Sequence, residues 1–173
     1  MSDFDAYTDT DGELDIDAFR VDLSDAEEQL FTPLPAGSYN ATLTGAVVKH
    51  AKESGKPYVN WEWTIEGGNR LVWSMSMLDF GNTEMTKPKD PKKNPPVQKG
   101  KMFKDQFFTL LKTMDVFTEE DLRSGPSLSD IFMTVVDVAR VQLVLTVDTV
   151  YNNNKVKYVR KYVATDGSAS GIE

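Results

Sequence analysis

Cysteine is absent from this 173-residue chain, which excludes disulfides and any thiolate nucleophile or metal ligand. There is a single histidine, His50, so neither a multi-histidine metal site nor a cysteine–histidine pair can be built. No apolar run approaches the roughly 18 residues of a spanning helix, so no membrane association is expected. The opening MSDFDAYTDTDGELD has no basic stretch leading into an apolar one, and no secretory signal is expected. A glycine-rich phosphate loop is also missing, because Gly67-Gly68 falls between two strand-like runs and opens no helix. His50, beside Lys49 and Lys52 at a strand end, reads as a surface histidine, and no serine has a nucleophile-elbow context. Scattered carboxylates leave a carboxylate-only metal nuclease open. The expectation is nonetheless a protein without catalysis, cofactor or bound metal.

Basic charge is scarce at the front of the chain. Residues 1–30 hold eleven acids against Arg20 alone, a net of −10, whereas the whole chain carries −8. The remainder is therefore faintly basic, at +2, and the overall pI of 4.7 averages two unlike parts. Residues 1–30 are expected to form an acidic, largely disordered arm, since high charge with little to bury disfavours folding. Asp9 and Asp11 before Gly12 invite a calcium-loop reading, but Tyr7 and Ala18 then occupy positions that must supply oxygen ligands, and the reading fails. Ser24 and Glu27 have capping-box spacing for a short helix through Leu30.

From Tyr39 the apolar period is two. Tyr39 to Val48 reads as a half-buried strand, and a second strand sets Val59, Trp61, Trp63 and Ile65 on one face, where both tryptophans are expected in the core. Gly67-Gly68-Asn69 reads as a hairpin turn. The third strand, Arg70 to Leu78, aligns Leu71, Trp73, Met75 and Met77, with Trp73 open to either a core or a platform role. Residues 79–100 are expected to be a long, mobile, basic loop. Helical spacing follows from Met102 to Met114, and Thr118 with Asp121 and Ser127 with Asp130 cap two more short helices. Val141 to Asp148 and Val156 to Val163 complete the strands. The fold expected is mainly β: a five-stranded, OB-fold-like antiparallel barrel over 31–164, with helices between strands 3 and 4, after the acidic N-terminal arm. Residues 165–173 are expected to be a flexible tail.

Cations and aromatics alternate on the strands, a pairing that single-stranded nucleic acid requires: charge to follow phosphates and flat rings on which bases stack. The residues carrying this are Lys49, Lys52 and Lys56 at the first turn, Arg70 and Trp73 on the third strand, and Lys157, Tyr158 and Arg160 on the last. The basic loop adds Lys87, Lys92 and Lys93, placed to close over a bound strand. Plainer readings stand beside these: Tyr158 on an ordinary solvated face, and the loop as a soluble linker.

The stretch from Leu34 to Ala41, the turn Ser54-Gly55-Lys56-Pro57-Tyr58, Trp61 to Ile65, and the closing Tyr151-Asn-Asn-Asn-Lys155 with Val156-Lys157-Tyr158 together resemble a family of small bacteriophage proteins. The resemblance spans about residues 30–164, and order and spacing carry it. It implies single-stranded-DNA binding by an OB-fold-like body, in replication or recombination within the host cytoplasm. Proteins of this kind usually hold their acidic tail at the C-terminus, whereas here the acids are in front. The arm, through Asp9, Asp11, Asp15 and Asp17, is then expected to dock replication or recombination proteins or to compete with DNA. The alternative is a protein-binding phage factor whose arm imitates nucleic acid or docks a basic partner. A structural virion domain is a third reading, and self-association is left open.

Overall fold

The computed structural model describes residues 15–28 and 32–164, in two compact units divided at Phe31 and Thr32. The expectations placed on Asp9 and Asp11, on the end of the arm helix and on the tail 165–173 lie outside the described residues.

In the first unit, residues 15–28 form turns and extended backbone. The capping-box helix expected from Ser24 is absent over the described positions. The Asp22 carboxylate instead accepts from the Ser24 amide at 3.0 Å, an Asx turn that competes with the first helical turn. Asp15 and Asp17 are exposed, and Asp15 turns the chain by accepting from the amide of Asp17.

The second unit contains β1 (Gly37–His50), β2 (Pro57–Ile65), β3 (Leu71–Met77), α1 (Lys99–Thr113), α2 (Glu119–Arg123), α3 (Leu128–Val135), β4 (Arg140–Asp148) and β5 (Asn153–Lys161). The five strands form one antiparallel sheet in the order β3-β2-β1-β4-β5. The turn before β3 uses the left-handed backbone that its residues tolerate, with Gly67 at φ 84° and Asn69 at φ 52°. Both predicted caps form. Thr118 and Asp121 exchange side-chain and backbone hydrogen bonds at the start of α2, and Ser127 accepts from the Asp130 amide at the start of α3.

One face of the sheet buries Ala41, Leu43, Val59, Trp61, Trp63 and Leu143 under the helices. Phe107 of α1 stacks near Trp61 at 6.1 Å, and Phe132 of α3 meets the same indole edge-on at 5.8 Å. Gly100 lets α1 approach residues 80–82, since a Cβ there would lie 2.7 Å from the Asn82 nitrogen.

The expected barrel is not closed. β3 and β5 bring Cα atoms within 8 Å of each other, but no ladder joins them, and α1 packs against both edges. Tracing the antiparallel pairs from β3 through β2, β1 and β4 makes β3 and β5 run in the same direction on the two sides of this seam. A β-bulge at Lys157 disrupts the regular alternation of β5 where it faces the seam.

The loop between β3 and α1 carries backbone hydrogen bonds of its own. The Thr86 amide donates to Val97 O at 2.8 Å, and the Lys99 amide donates to Glu84 O at 2.8 Å. Asp90 turns the tip by accepting from the Asn94 amide through its carbonyl at 2.8 Å.

Candidate nucleic-acid interface

On β3 the sequence alternates serine with large apolar residues, and the serines face inward. The Trp61 indole donates to Ser76 Oγ at 2.8 Å, and the Trp63 indole donates to Ser74 Oγ at 2.9 Å. Two buried tryptophans need acceptors for their N–H groups, and the serines supply them. The consequence falls on the other face: Leu71, Trp73 and Met75 point outward, with Trp73 50% exposed. Trp73 therefore lies outside the core, on the outward face of β3. Glu62 lies opposite Trp73 in the register and is held by the Thr44 hydroxyl, which donates to it at 2.9 Å.

On β5 the outward aromatic is produced by the bulge. Val156 lies opposite Leu145 and Tyr158 opposite Val144, so Lys157 is the extra residue between them. Without it, period two would put Tyr158 on the same face as Val156. With it, Lys157 and Tyr158 are both exposed, Tyr158 at 52%. Lys157 Nζ lies 5.4 Å from the Tyr158 ring centre and the Arg160 guanidinium carbon 5.7 Å from it. Both are within cation–π reach, and neither cation has an ion-pair partner among the described residues.

A groove of about 610 Å³ runs between these edges. Ser74, Met75 and Ser76 form one wall, Val156 to Val159 the other, and the flank of α1 carrying Lys101, Asp105, Gln106 and Thr109 the floor. Lys101 and Asp105 are paired at 2.6 Å, which leaves Lys157 as the uncompensated charge of the lining. The groove thus offers apolar and π surface with cations along one rim. Such a surface suits a stacked, anionic chain.

The other expected cations are distributed differently. Lys49 and Lys52 are exposed at the β1–β2 turn. Lys56, nearby, is tied to Asp79 at 2.8 Å; that bond raises the lysine above its ordinary value and holds the carboxylate below its own. Lys87, Lys92 and Lys93 are exposed on the loop. Lys87 and Lys56 help to lower Glu84, whose main partner is Lys99 at 2.8 Å. Arg70 stands at the opposite end of β3 from this cluster and donates to Thr32 O at 2.8 Å, fixing the lead into β1. Lys157, Tyr158 and Arg160 are therefore brought together beside the groove, and Trp73 shares the outward face with groove-lining Met75. The first-turn lysines and the loop form a second basic region, and Arg70 belongs to neither.

Sequence reasoning missed Met75, Lys101, Gln106 and Thr109 as groove residues. Lys101, Asp105 and Thr109 recur at four-residue spacing along one helix flank, and that stripe was the available signal. Among the described residues no group of three or more His, Asp or Glu side chains could hold a metal ion, and no helix is long and apolar enough to cross a membrane. No protein-family model matches the chain, and no curated protein matches it either.

Proposed function

We propose that this chain binds single-stranded DNA without catalysis, along the groove between β3 and β5. The observation that carries the reading is the half-exposed Tyr158 ring with Lys157 at 5.4 Å and Arg160 at 5.7 Å from its centre: a stacking surface with phosphate-binding charge beside it. The outward Trp73 and Met75 across the seam support it. The strand order and the helical connection between β3 and β4 favour an OB-type body in its partly open form. The setting is replication or recombination of a bacteriophage genome in the host cytoplasm. There the basic loop with Lys87, Lys92 and Lys93 extends the contact to the backbone, and the arm with Asp15 and Asp17 recruits partner proteins.

The test is a salt titration of oligo-dT binding by the full chain and by a variant lacking residues 1–22. Log affinity falls linearly with log salt, by about 0.7 for each phosphate contacted. The truncated protein binds more tightly, because a segment of opposite effect on anions has gone. If neither protein binds oligo-dT at low salt, the reading is wrong. A second reading, an arm that docks a basic partner protein, is favoured by Ile16, Val21 and Leu23, which stand exposed between its acids. Recovery of a basic protein by the arm alone, with nucleic acid removed, selects that reading.

A further inference from the structure

The helices of the β3–β4 connection enclose a second hollow, of about 490 Å³, on the flank of α1 turned away from the groove. Phe107, Phe108 and Leu111 of α1, Leu122 of α2 and Ile131 of α3 supply apolar walls. The only charged groups in the lining are Lys104 and Arg123, and both are cations. Lys104 is exposed and has no ion-pair partner among the described residues. Arg123 lies over the Phe108 ring at 4.6 Å, while its nearest carboxylate, Glu119, is at 4.0 Å, the outer limit of an ion pair.

We propose that this hollow docks an acidic peptide segment of a partner protein that carries one large apolar side chain. The apolar side chain enters among Phe107, Phe108 and Leu122, and flanking carboxylates meet Lys104 and Arg123 at the rim. Charge complementarity selects this occupant. The charged groups of the lining are both cations, and Glu119 beside Arg123 is the one carboxylate paired to them among the described residues. An apolar cup lined this way favours an anionic peptide over a basic one. The rim is preorganised as well. The Thr118–Asp121 capping box fixes α2, and the Phe108 ring holds the Arg123 guanidinium in place, so little side-chain freedom is lost on binding. The groove and the hollow use opposite flanks of α1, so a DNA strand and the peptide are accommodated together.

The experiment is fluorescence anisotropy of a labelled aspartate-rich peptide with a single phenylalanine, titrated with the full chain. Oligo-dT binding is measured on the same samples. The peptide binds, and replacing its phenylalanine with serine, or its aspartates with asparagines, weakens binding about tenfold or more. Lys104→Glu with Arg123→Ser does the same, and these exposed positions leave the thermal transition in place. Oligo-dT binding by that double variant keeps the parent's salt slope, because the phosphates contacted in the groove are the same, and this separates the proposal from the groove reading. The proposal is overturned if the peptide fails to bind at low salt, binds the double variant equally, or binds equally without its aspartates. Displacement of the peptide by oligo-dT also overturns it, by assigning the peptide to the groove. So does self-association of the chain that the double variant abolishes, since the occupant is then a second copy.

Discussion

The Trp61 indole donates to the Ser76 hydroxyl at 2.8 Å, joining β2 to β3 inside the core. Trp61 is fully buried, so removing the acceptor leaves its N–H with no water to turn to. Ser76→Ala is expected to cost about 1–3 kcal/mol, read from the midpoint of urea unfolding. An unchanged midpoint means that the indole has another acceptor.

Trp73 is the half-exposed tryptophan of three, the other two being fully buried. Acrylamide quenching is therefore expected to show one accessible component, which Trp73→Phe removes. Oligo-dT protects that component if the strand passes over β3. Protection that survives the substitution would point to movement of the core rather than to contact.

Tyr158→Ala is expected to weaken oligo-dT binding by about 1–3 kcal/mol, or roughly 5- to 150-fold, with no change in thermal stability. Tyr158→Phe keeps the π-face and binds like the parent. Equal losses in both variants would assign the effect to the hydroxyl and reject stacking.

Gly100 donates to Asn82 O at 2.9 Å where α1 meets the loop after β3. A methyl group there collides with the Phe80 carbonyl, which belongs to the backbone and cannot rotate away. Gly100→Ala is expected to destabilise by about 1–3 kcal/mol in thermal or urea unfolding. A parent-like transition would show that the helix shifts freely from its seat.

Asp148 is held below the ordinary carboxylate range, first by its bond to Lys155 and then by the amides of Tyr151 and Val150. Lys56 and Asp79 are shifted as a pair, as are Asp148 and Lys155. A carboxylate lowered in the folded state contributes stability above its unfolded value and loses it as pH falls through the folded one. A raised lysine contributes below its unfolded value and loses that contribution as pH rises through the folded one. Stability is therefore expected to decline below about pH 4 and again above about pH 10. In a carboxyl NMR titration, Lys155→Met moves the Asp148 midpoint upward. A midpoint that stays put would assign its lowering to the two amides.

Much of the sheet was legible because its signals are local. Val59, Trp61, Trp63 and Ile65 alternate cleanly, and Thr118–Asp121 and Ser127–Asp130 carry their caps within a single turn. β3 was harder. Its apolar alternation marks Leu71, Trp73, Met75 and Met77 as one face without saying which, and the decision lies with two indoles on another strand. The bulge at Lys157 is one extra residue, and it turns over everything on one side of it. β1 has a similar irregularity between Leu43 and Gly45, where the simple alternation stops describing the buried face. Lys56 reads as a free phosphate ligand until the fold brings Asp79 against it. The groove was invisible for the same reason, since its walls and floor come from three separate segments.

The missing ladder between β3 and β5 bears on how tightly the groove is gauged. In a closed sheet the spacing of neighbouring strands is fixed at about 4.8 Å by their hydrogen bonds. Here the distance between Met75 and Tyr158 is set by side chains and by the seating of α1, so widening or narrowing it breaks no backbone bond. Purines and pyrimidines differ in width, and under the proposed function an aperture gauged in this way admits either. Indifference to base sequence would then originate in the backbone that was left unpaired.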